Sequence, residues 1–140
     1  MKYRALLALT AFAVLTSSPA QEDEDEIEAI DINEMPPVAE EACFQSAEIR
    51  DFDALSDEFV LVENRRGEVF LLTMFPGCRG LGSSIQIALV SDLNRVCSNS
   101  AARIQFRGTE LVDTCPIVKI ESVEDKESGE RLAEIRSSGE

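Results

Sequence analysis

Histidine and tryptophan are absent from this 140-residue chain, and basic residues are scarce, with 13 Lys and Arg against 27 Asp and Glu. Without histidine the chain has no imidazole to act as a general base, to activate a nucleophile or to bind a metal ion. The formal net charge of −14 disfavours nucleic-acid binding, because that binding depends on Lys and Arg neutralising phosphates. The composition therefore excludes imidazole-dependent catalysis and argues against an enzyme and against nucleic-acid binding, without identifying a function.

Long hydrophobic runs are also missing. The apolar run Ala5–Leu15 has 11 residues, whereas a membrane-spanning helix needs about 20. It follows Lys2 and Arg4 and precedes small residues up to Ala20, which is the pattern of a secretory signal peptide. We therefore expect residues 1–20 to be a signal peptide cleaved after Ala20, and the mature protein to be periplasmic or secreted, with no membrane span.

The negative charge is concentrated at the two ends of the chain. Residues 21–41 hold ten acidic residues and no basic ones, and such a segment does not bury enough apolar surface to fold. Residues 122–140 have a similar, milder composition, in which Leu132 and Ile135 mark at most one helical turn. The sequence thus predicts a disordered acidic leader over 21–41, a folded domain over 42–121 and a mostly disordered acidic tail over 122–140.

Four cysteines lie inside the predicted domain: Cys43, Cys78, Cys97 and Cys115. An even number of cysteines in a small exported domain is typical of disulfides, which such a domain needs because its core is small. A zinc site is disfavoured, since zinc ligands usually come as close pairs and successive cysteines here are 35, 19 and 18 positions apart. A redox-active thiol pair is disfavoured as well, because there is no C-x-x-C motif. We therefore predict two disulfides.

Three pairings of the four cysteines are possible, and their spacing does not decide between them. We favour the nested pairing, Cys43 with Cys115 and Cys78 with Cys97, because it joins both ends of the domain and separately fixes an internal loop. In the chain-entropy description the longer closure contributes about 4 kcal/mol and the shorter one about 3 kcal/mol. The other two pairings remain open.

The hydrophobic pattern of the domain has a period of two, which indicates β-strands. Arg103–Arg107 alternates, with Ile104 and Phe106 predicted to point inward. Phe59–Glu63 and Glu68–Phe75 predict a hairpin, because the connection between them ends in a glycine that adopts the positive φ such a turn needs. The second of these runs is apolar on both faces and is therefore predicted to be a central strand covered on two sides.

Further segments complete a small antiparallel fold. Ala47–Phe52 and Pro116–Ile120 are predicted as strands, and Leu111-Val112 follows the strand ending at Arg107 closely enough for a second hairpin. Ser84–Val96 fits a helix or a strand, and its turn residues favour a short strand between turns. The sequence therefore predicts a mainly β fold of five to six short antiparallel strands, closed into a small barrel or sandwich.

The order of the cysteines and their apolar neighbours resembles a known family. The matching segments are Cys43-Phe44, a strand with Ile49 and Phe52, then Cys78-Arg79-Gly80-Leu81, Val96-Cys97 and Cys115-Pro116-Ile117. This arrangement, over roughly 43–123, resembles the small exported proteobacterial proteins grouped as domain of unknown function 6491. The resemblance implies export and a disulfide-stabilised, mostly β domain, and it implies no known activity.

Three glycines, Gly77, Gly80 and Gly82, lie close to Cys78. Glycine-rich loops often hold phosphates, but this spacing matches neither of the nucleotide-binding fingerprints, and no Lys-Ser or Lys-Thr pair follows it. We therefore interpret the three glycines as part of a flexible turn around Cys78, and we predict no cofactor site.

Four carboxylates occur close together at Asp51, Asp53, Asp57 and Glu58. They lack the loop glycine and the closing glutamate of an EF-hand, although Asp51 and Asp53 would lie on the same face of a strand. This pair also resembles the acid and base of a glycosidase, but nothing in the sequence indicates a cleft around it. We interpret all four as solvated side chains, and we predict neither a metal site nor catalytic residues.

Three functions remain compatible with these features. The first is a non-catalytic exported module that binds or scaffolds an unidentified protein or envelope partner. The second is a cation-binding or stress-related envelope protein that acts through the acidic leader, and the third is a hydrolase that uses Asp and Glu alone. Five arginines would give the leader an internal docking site if they shared a face: Arg50, Arg65, Arg66, Arg103 and Arg107.

Overall fold

The computed structural model describes residues 36–108 and 112–139, so the predicted signal peptide and most of the predicted leader lie outside the described residues. The described part contains nine strands, a short 3-10 helix over Ser46–Glu48 and one α-helix. The strands are β1 (Glu40–Glu41), β2 (Cys43–Gln45), β3 (Ile49–Ala54), β4 (Phe59–Asn64), β5 (Val69–Met74), β6 (Gln86–Val90), β7 (Arg95–Cys97), β8 (Arg103–Arg107) and β9 (Val112–Val123). The α-helix, α1, spans Lys126–Ser138.

Six strands form an antiparallel, barrel-like sheet in the order β3-β4-β5-β9-β8-β6, and β1 pairs with the end of β9. The long strand β9 connects two parts of this sheet, since its first half pairs with β8 and its second half with β5. A register shift opposite Thr73 and Met74 lies where β9 changes partner, and such an irregularity increases the local twist and bend. The prediction of a mainly β, barrel-like fold is confirmed.

The predicted strands differ from the observed ones mainly at their ends. Ile104 and Phe106 are buried in β8, as their alternation predicts. The ambiguous segment Ser84–Val96 contains the short strand β6, so the interpretation as a strand between turns is confirmed. The strand predicted over Ala47–Phe52 begins later, at Ile49, because the residues before it form the 3-10 helix.

The β4–β5 hairpin has the geometry that the sequence predicts. Gly67 has a φ of +84°, which a residue with a side chain adopts only with strain. Asn64 supports the turn, because its side-chain oxygen Oδ1 accepts hydrogen bonds from the backbone amides of Arg66 at 3.0 Å and Glu68 at 2.9 Å. The turn is therefore set by local residues, which is why it can be recognised in the sequence.

Both faces of β4 and β5 are buried, each in a different layer of side chains. Their inward face belongs to the barrel interior, whose buried residues include Val60, Val62, Phe70, Leu72, Met74, Ile104, Phe106, Ile117 and Ile120. Their outward face lies under α1 in a second cluster: Phe59, Leu61, Val69, Leu71, Val123, Leu132 and Ala133. Burial of apolar surface is the main stabilising term in folding, so the predicted two-sided cover of β5 is confirmed and both strands are central to the fold.

The helix α1 covers the outward face of the sheet, and the prediction of a mostly disordered tail over 122–140 is wrong. The helix is capped by Asp125, whose side chain accepts a hydrogen bond from the backbone amide of Ser128 at 2.8 Å. A helix this short and this polar is not stable alone, so it depends on the sheet beneath it. The predicted domain end at 121 is therefore too early, because β9 and α1 continue the fold to Ser138.

The end of the predicted leader is ordered as well. Glu40 and Glu41 form β1 and pair with Ser122 and Glu121 of β9, so the prediction of a disordered leader is wrong for these two residues. Their backbone hydrogen bonds with β9 do not depend on the identity of the side chains, and the acidic composition therefore gave no sign of them. Residues 21–35 lie outside the described part of the chain, and for them the prediction stays a prediction.

An ion pair with a buried carboxylate fixes α1 to the sheet. Arg136 donates to both carboxylate oxygens of Glu121, at 2.6 and 3.1 Å, and the ammonium of Lys119 contacts the same carboxylate at 2.8 Å. Glu121 is only 3% exposed, so removing a partner would leave a buried charge poorly compensated. The hydrogen bond from Arg136 holds the pKa of Glu121 below its ordinary value of 4.5, against the opposing effect of burial, and Lys119 lowers it further.

We expect the fold to lose stability as the pH falls, partly through Glu121. Because its pKa is lowered in the folded state, its contribution is complete above pH 4.5 and is lost as the pH falls through the folded-state pKa. Glu121→Gln should lower the free energy of unfolding by about 2 kcal/mol at neutral pH. It should also flatten the decline of that free energy between about pH 5 and pH 3. Urea unfolding of both proteins across this range tests the prediction, and two parallel curves would contradict it.

All four cysteines are paired, but the favoured pairing is wrong. The bonds join Cys43 to Cys97 and Cys78 to Cys115, so the two loops interleave instead of nesting. Strand pairing explains the difference, because β2 lies antiparallel to β7 with Cys43 opposite Cys97, and their Cα atoms are 4.3 Å apart. The turn after β5 brings Cys78 beside Cys115 on β9, at a Cα distance of 5.7 Å.

Candidate functional site

The barrel-like sheet does not close within the described residues. β3 and β6 are its two edge strands, and a groove of about 720 Å³ lies between them. The groove is lined by 50–54 on one side, and by 84–88 with 105–107 on the other. Ligand-binding clefts have volumes of about 300 to 1,000 Å³, so this groove is the candidate functional site.

One end of the groove is bridged by the small sheet of β2 and β7. These strands precede β3 and follow β6 along the chain, and the Cys43–Cys97 disulfide joins them. The backbone amide of Ser46 also donates to the carbonyl of Asn94 at 2.8 Å. The start of β3 and the segment after β6 are therefore held together covalently and by hydrogen bonds.

The other end of the groove is bridged by the loop before β6. The backbone amide of Gly82 donates to Oδ1 of Asp57 at 2.9 Å. A Cβ atom on Gly82 would lie 3.0 Å from the backbone of Ser56, a distance that real Cβ atoms rarely reach, so a glycine suits this close approach. The groove is thus a slot with both ends held, and only its middle is open between the two edge strands.

The groove contains apolar side chains among its polar ones. Phe52, Ala54 and Ile87 are partly buried beside the barrel interior, and Phe106 is buried in it. Ile85 also lines the groove and is 73% exposed. Apolar residues that are both exposed and concentrated at a cleft are typical of an interaction site.

The charged residues that line the groove are two arginines and two aspartates, so their charges cancel. Arg50 pairs with Glu63 of β4 at 2.6 Å. Asp51 pairs with Lys126 of α1 at 2.9 Å, and the hydrogen bond from that ammonium lowers the pKa of Asp51. The remaining two are Asp53 and Arg107, and neither forms an ion pair with a residue that the structure describes. The groove is therefore electrically balanced within a strongly acidic chain.

Backbone groups of β3 also face the groove. Leu55 donates to the carbonyl of Phe59 across the β3–β4 hairpin at 3.0 Å. Alternate residues of an antiparallel strand bond to a given neighbour, so the register makes the odd-numbered residues of β3 bond to β4. The amides and carbonyls of Phe52 and Ala54 therefore point away from β4, toward the groove. Oδ1 of Asp51 accepts a hydrogen bond from the Phe52 amide at 3.0 Å. The Phe52 carbonyl and both groups of Ala54 have no partner among the residues that the structure describes.

The four carboxylates considered as a calcium site do not converge. Asp51 pairs with Lys126, and Asp57 accepts the Gly82 amide. Glu58 is involved through its backbone, because its carbonyl accepts a hydrogen bond from the amide of Met74. Over 36–108 and 112–139 no three acidic or cysteine side chains are grouped closely enough to hold a metal ion. Asp51 and Asp53 do share one face of β3, as their spacing predicts.

The three glycines lie in a turn around Cys78, as the sequence indicates. Gly77 and Gly80 both have positive φ values, +102° and +88°, on either side of Cys78.

Arg50 and Arg66 form ion pairs with Glu63 and Glu48, respectively. These pairs use charges that would otherwise be available to the acidic leader, so two of the five arginines are already occupied.

The groove itself is not predictable from the sequence. Its walls come from segments far apart in the chain, and only the sheet order reveals that β3 and β6 are edges. One signal was present, because Ile85 interrupts a polar stretch immediately before a strand. An isolated apolar residue of this kind is common on protein surfaces, so the signal gains meaning only beside the opposite wall.

Comparison with known proteins gives a family and no activity. The model of a family of unknown function, DUF6491, matches residues 1–139, so the resemblance seen in the sequence is confirmed. No curated protein and no solved structure matches the chain. Among the described residues no helix is long and apolar enough to cross a membrane.

Proposed function

Because this chain belongs to the family of unknown function DUF6491, which supplies no activity, we propose from the geometry that it is a non-catalytic binding module whose ligand occupies the groove between β3 and β6. The observation that carries the proposal is the open seam, in which two unpaired strand edges face each other beside a set of apolar side chains. Either feature alone is common, but exposed edges are usually blunted or covered. A seam with both ends fixed and its middle open is suited to receive a partner.

The proposal includes a location outside the reducing cytosol. Two disulfides join distant parts of the chain, and such bonds persist in oxidising compartments. This supports the expectation of a periplasmic or secreted protein with a signal peptide over residues 1–20. The partner would then be another protein or an envelope component.

The charges at the groove favour binding over hydrolysis by carboxylates. A glycosidase-type mechanism needs a carboxyl with a raised pKa to act as the general acid. The ion pair with Lys126 lowers the pKa of Asp51, so this carboxyl would stay ionised and could not donate a proton. Asp51 is therefore better suited to holding the strand edge to the helix than to acting as a general acid.

Two exposed apolar residues allow a matched test of the groove. Ile85 lines it, whereas Leu93, which is 58% exposed, does not. We expect Ile85→Glu to weaken capture of the partner from a cell-envelope extract by at least about tenfold, because a charge replaces an apolar contact. Leu93→Glu adds the same charge elsewhere and should capture the partner as the unmodified protein does.

The readout is quantitative recovery of each captured protein on the full chain and on the two variants, at low and high salt. A partner lost only with Ile85→Glu supports the proposal. Equal recovery on all three proteins, or no reproducible recovery on any of them, would overturn it. Far-UV circular dichroism of the variants verifies that both substitutions leave the fold intact, as expected for positions this exposed.

A further inference from the structure

We infer that the groove binds an extended, uncharged peptide segment as an added strand, antiparallel to β3. This inference rests on the proposed binding function and names the class of its ligand. Strand addition to an exposed sheet edge is a common way to bind peptides, in which main-chain hydrogen bonds give affinity and alternate side chains give specificity. The argument follows from the hydrogen-bonding groups, the side chains and the charges of the groove.

The hydrogen-bonding groups at the groove match a peptide backbone. The open groups of β3 are the Phe52 carbonyl and the amide and carbonyl of Ala54. Along one edge, an extended peptide presents an amide and a carbonyl at every second residue. A single ligand residue opposite Ala54 can therefore bond to both the amide and the carbonyl of Ala54. The Phe52 amide donates to the side chain of Asp51 at 3.0 Å. It can donate to a carbonyl of the ligand instead.

The side chains of the groove determine the pattern that the peptide must have. In an antiparallel pair, directly opposite residues point to the same face of the sheet. Ligand residues that bond to Phe52 and Ala54 therefore point inward, as those side chains do, toward Ile87 and Phe106. The peptide should carry apolar side chains at alternate positions, and polar ones between them.

The balanced charges favour a ligand without net charge. The lining residues include two positive side chains, Arg50 and Arg107, and two negative ones, Asp51 and Asp53. A charged ligand of either sign would therefore meet a repelling group as well as an attracting one. The chain as a whole has a net charge of −14, which repels polyanions at long range. An uncharged peptide is therefore preferred over a phosphate, a nucleic acid or a metal cation.

The direction of the ligand follows from the two walls. β3 and β6 run antiparallel to each other, because five successive antiparallel pairings separate them in the sheet. A strand between them can be antiparallel to only one wall and must be parallel to the other. Antiparallel pairing is slightly more stable, so the ligand should bond chiefly to one wall. We take that wall to be β3, and the Ala54→Pro variant below tests the choice.

N-methylated peptides test this geometry directly. The probe is an acetylated and amidated heptapeptide of alternating Thr and Val, with Thr at both ends. In the inferred complex the Val amides face β3 and the Thr amides face β6. We expect N-methylation of the Val residues to weaken binding at least about tenfold, because two main-chain hydrogen bonds are lost. The peptide that is N-methylated at the inner Thr residues is the matched control and should lose much less.

Binding is measured by NMR titration of the full, isotopically labelled chain, together with amide exchange at saturation. Slower exchange at Ala54 in the complex supports strand addition. Ala54→Pro removes a donor that β4 does not use, at an edge position where proline is tolerated, and it should abolish binding of the unmodified peptide while the fold is retained.

The outcomes separate this inference from the proposed function. Loss of binding on Thr methylation instead of Val methylation would overturn the antiparallel arrangement. Equal binding of all three peptides would show that the groove binds by apolar contact alone, which overturns strand addition and leaves the binding function standing. Binding of none of them, with a partner still lost through Ile85→Glu, would overturn the peptide ligand but not the use of the groove.

Discussion

Reduction of both disulfides is expected to unfold this protein. The two bonds close loops of 54 and 37 residues, for which the chain-entropy description gives about 4 kcal/mol each. Small domains have total stabilities of about 5 to 15 kcal/mol, so the two bonds together are comparable with the whole. Their loss also removes a specific support, because Cys43–Cys97 holds one end of the groove and Cys78–Cys115 holds the turn after β5 to β9.

Double serine variants separate the two contributions. We expect Cys43→Ser with Cys97→Ser, and Cys78→Ser with Cys115→Ser, each to lower the free energy of unfolding by about 3 to 4 kcal/mol. Urea titrations followed by far-UV circular dichroism, with and without reductant, give these values. The variant with all four serines is the control for side effects of the reductant, which should not change it. A wild-type melting curve that is the same with and without reductant would refute the prediction.

Leu132→Ala is expected to destabilise the fold by about 3 kcal/mol, because it leaves a cavity under α1. Leu132 is 5% exposed and packs in the outward cluster with Phe59, Leu61 and Leu71. Since α1 is too short to be stable without the sheet, losing this contact should weaken the helix as well as the core. The effect would show that the C-terminal segment is part of the folded unit.

Ile135 provides the matched control on the same helix. It is 41% exposed, so Ile135→Ala should change the free energy of unfolding by about 0.5 kcal/mol or less. Urea unfolding of the two variants and the unmodified protein measures the difference. Equal, small effects of both substitutions would mean that α1 does not pack on the sheet in solution.

The parts of the fold that could be predicted are those encoded by neighbouring residues. The β4–β5 hairpin is visible because Asn64 and Gly67 form the turn and apolar residues surround it. The β8 strand is visible because Ile104 and Phe106 alternate with polar residues. In both cases the side chains that determine the structure lie within a few positions of one another.

The parts that could not be predicted depend on contacts between distant segments. The helix α1 has few apolar residues of its own, and its reason to fold is the outward face of β4 and β5. The apolar residues of that face indicate that another element packs on it, but the sequence does not identify which element. The disulfide pairing failed for a similar reason, because the entropy of loop closure does not include the pairing of β2 with β7 that places Cys43 beside Cys97.

The candidate site was predictable only in fragments. Asp51 and Asp53 were correctly placed on one face of a strand, but the interest of that strand lies in its backbone and not in its carboxylates. Phe52, between them, contributes a carbonyl to the groove. Whether a strand is an edge is a property of the whole sheet, so no local pattern around these residues could have revealed it.

The interleaved disulfides also constrain how the protein matures. A chain synthesised from its N-terminus presents Cys43 and Cys78 before the native partner of either one, Cys97 or Cys115, has been made. Oxidation at that moment would close a non-native loop, which only attack by another thiolate can reopen. Correct maturation therefore requires either that oxidation waits until the strands have paired, or that thiol–disulfide exchange rearranges the early bond.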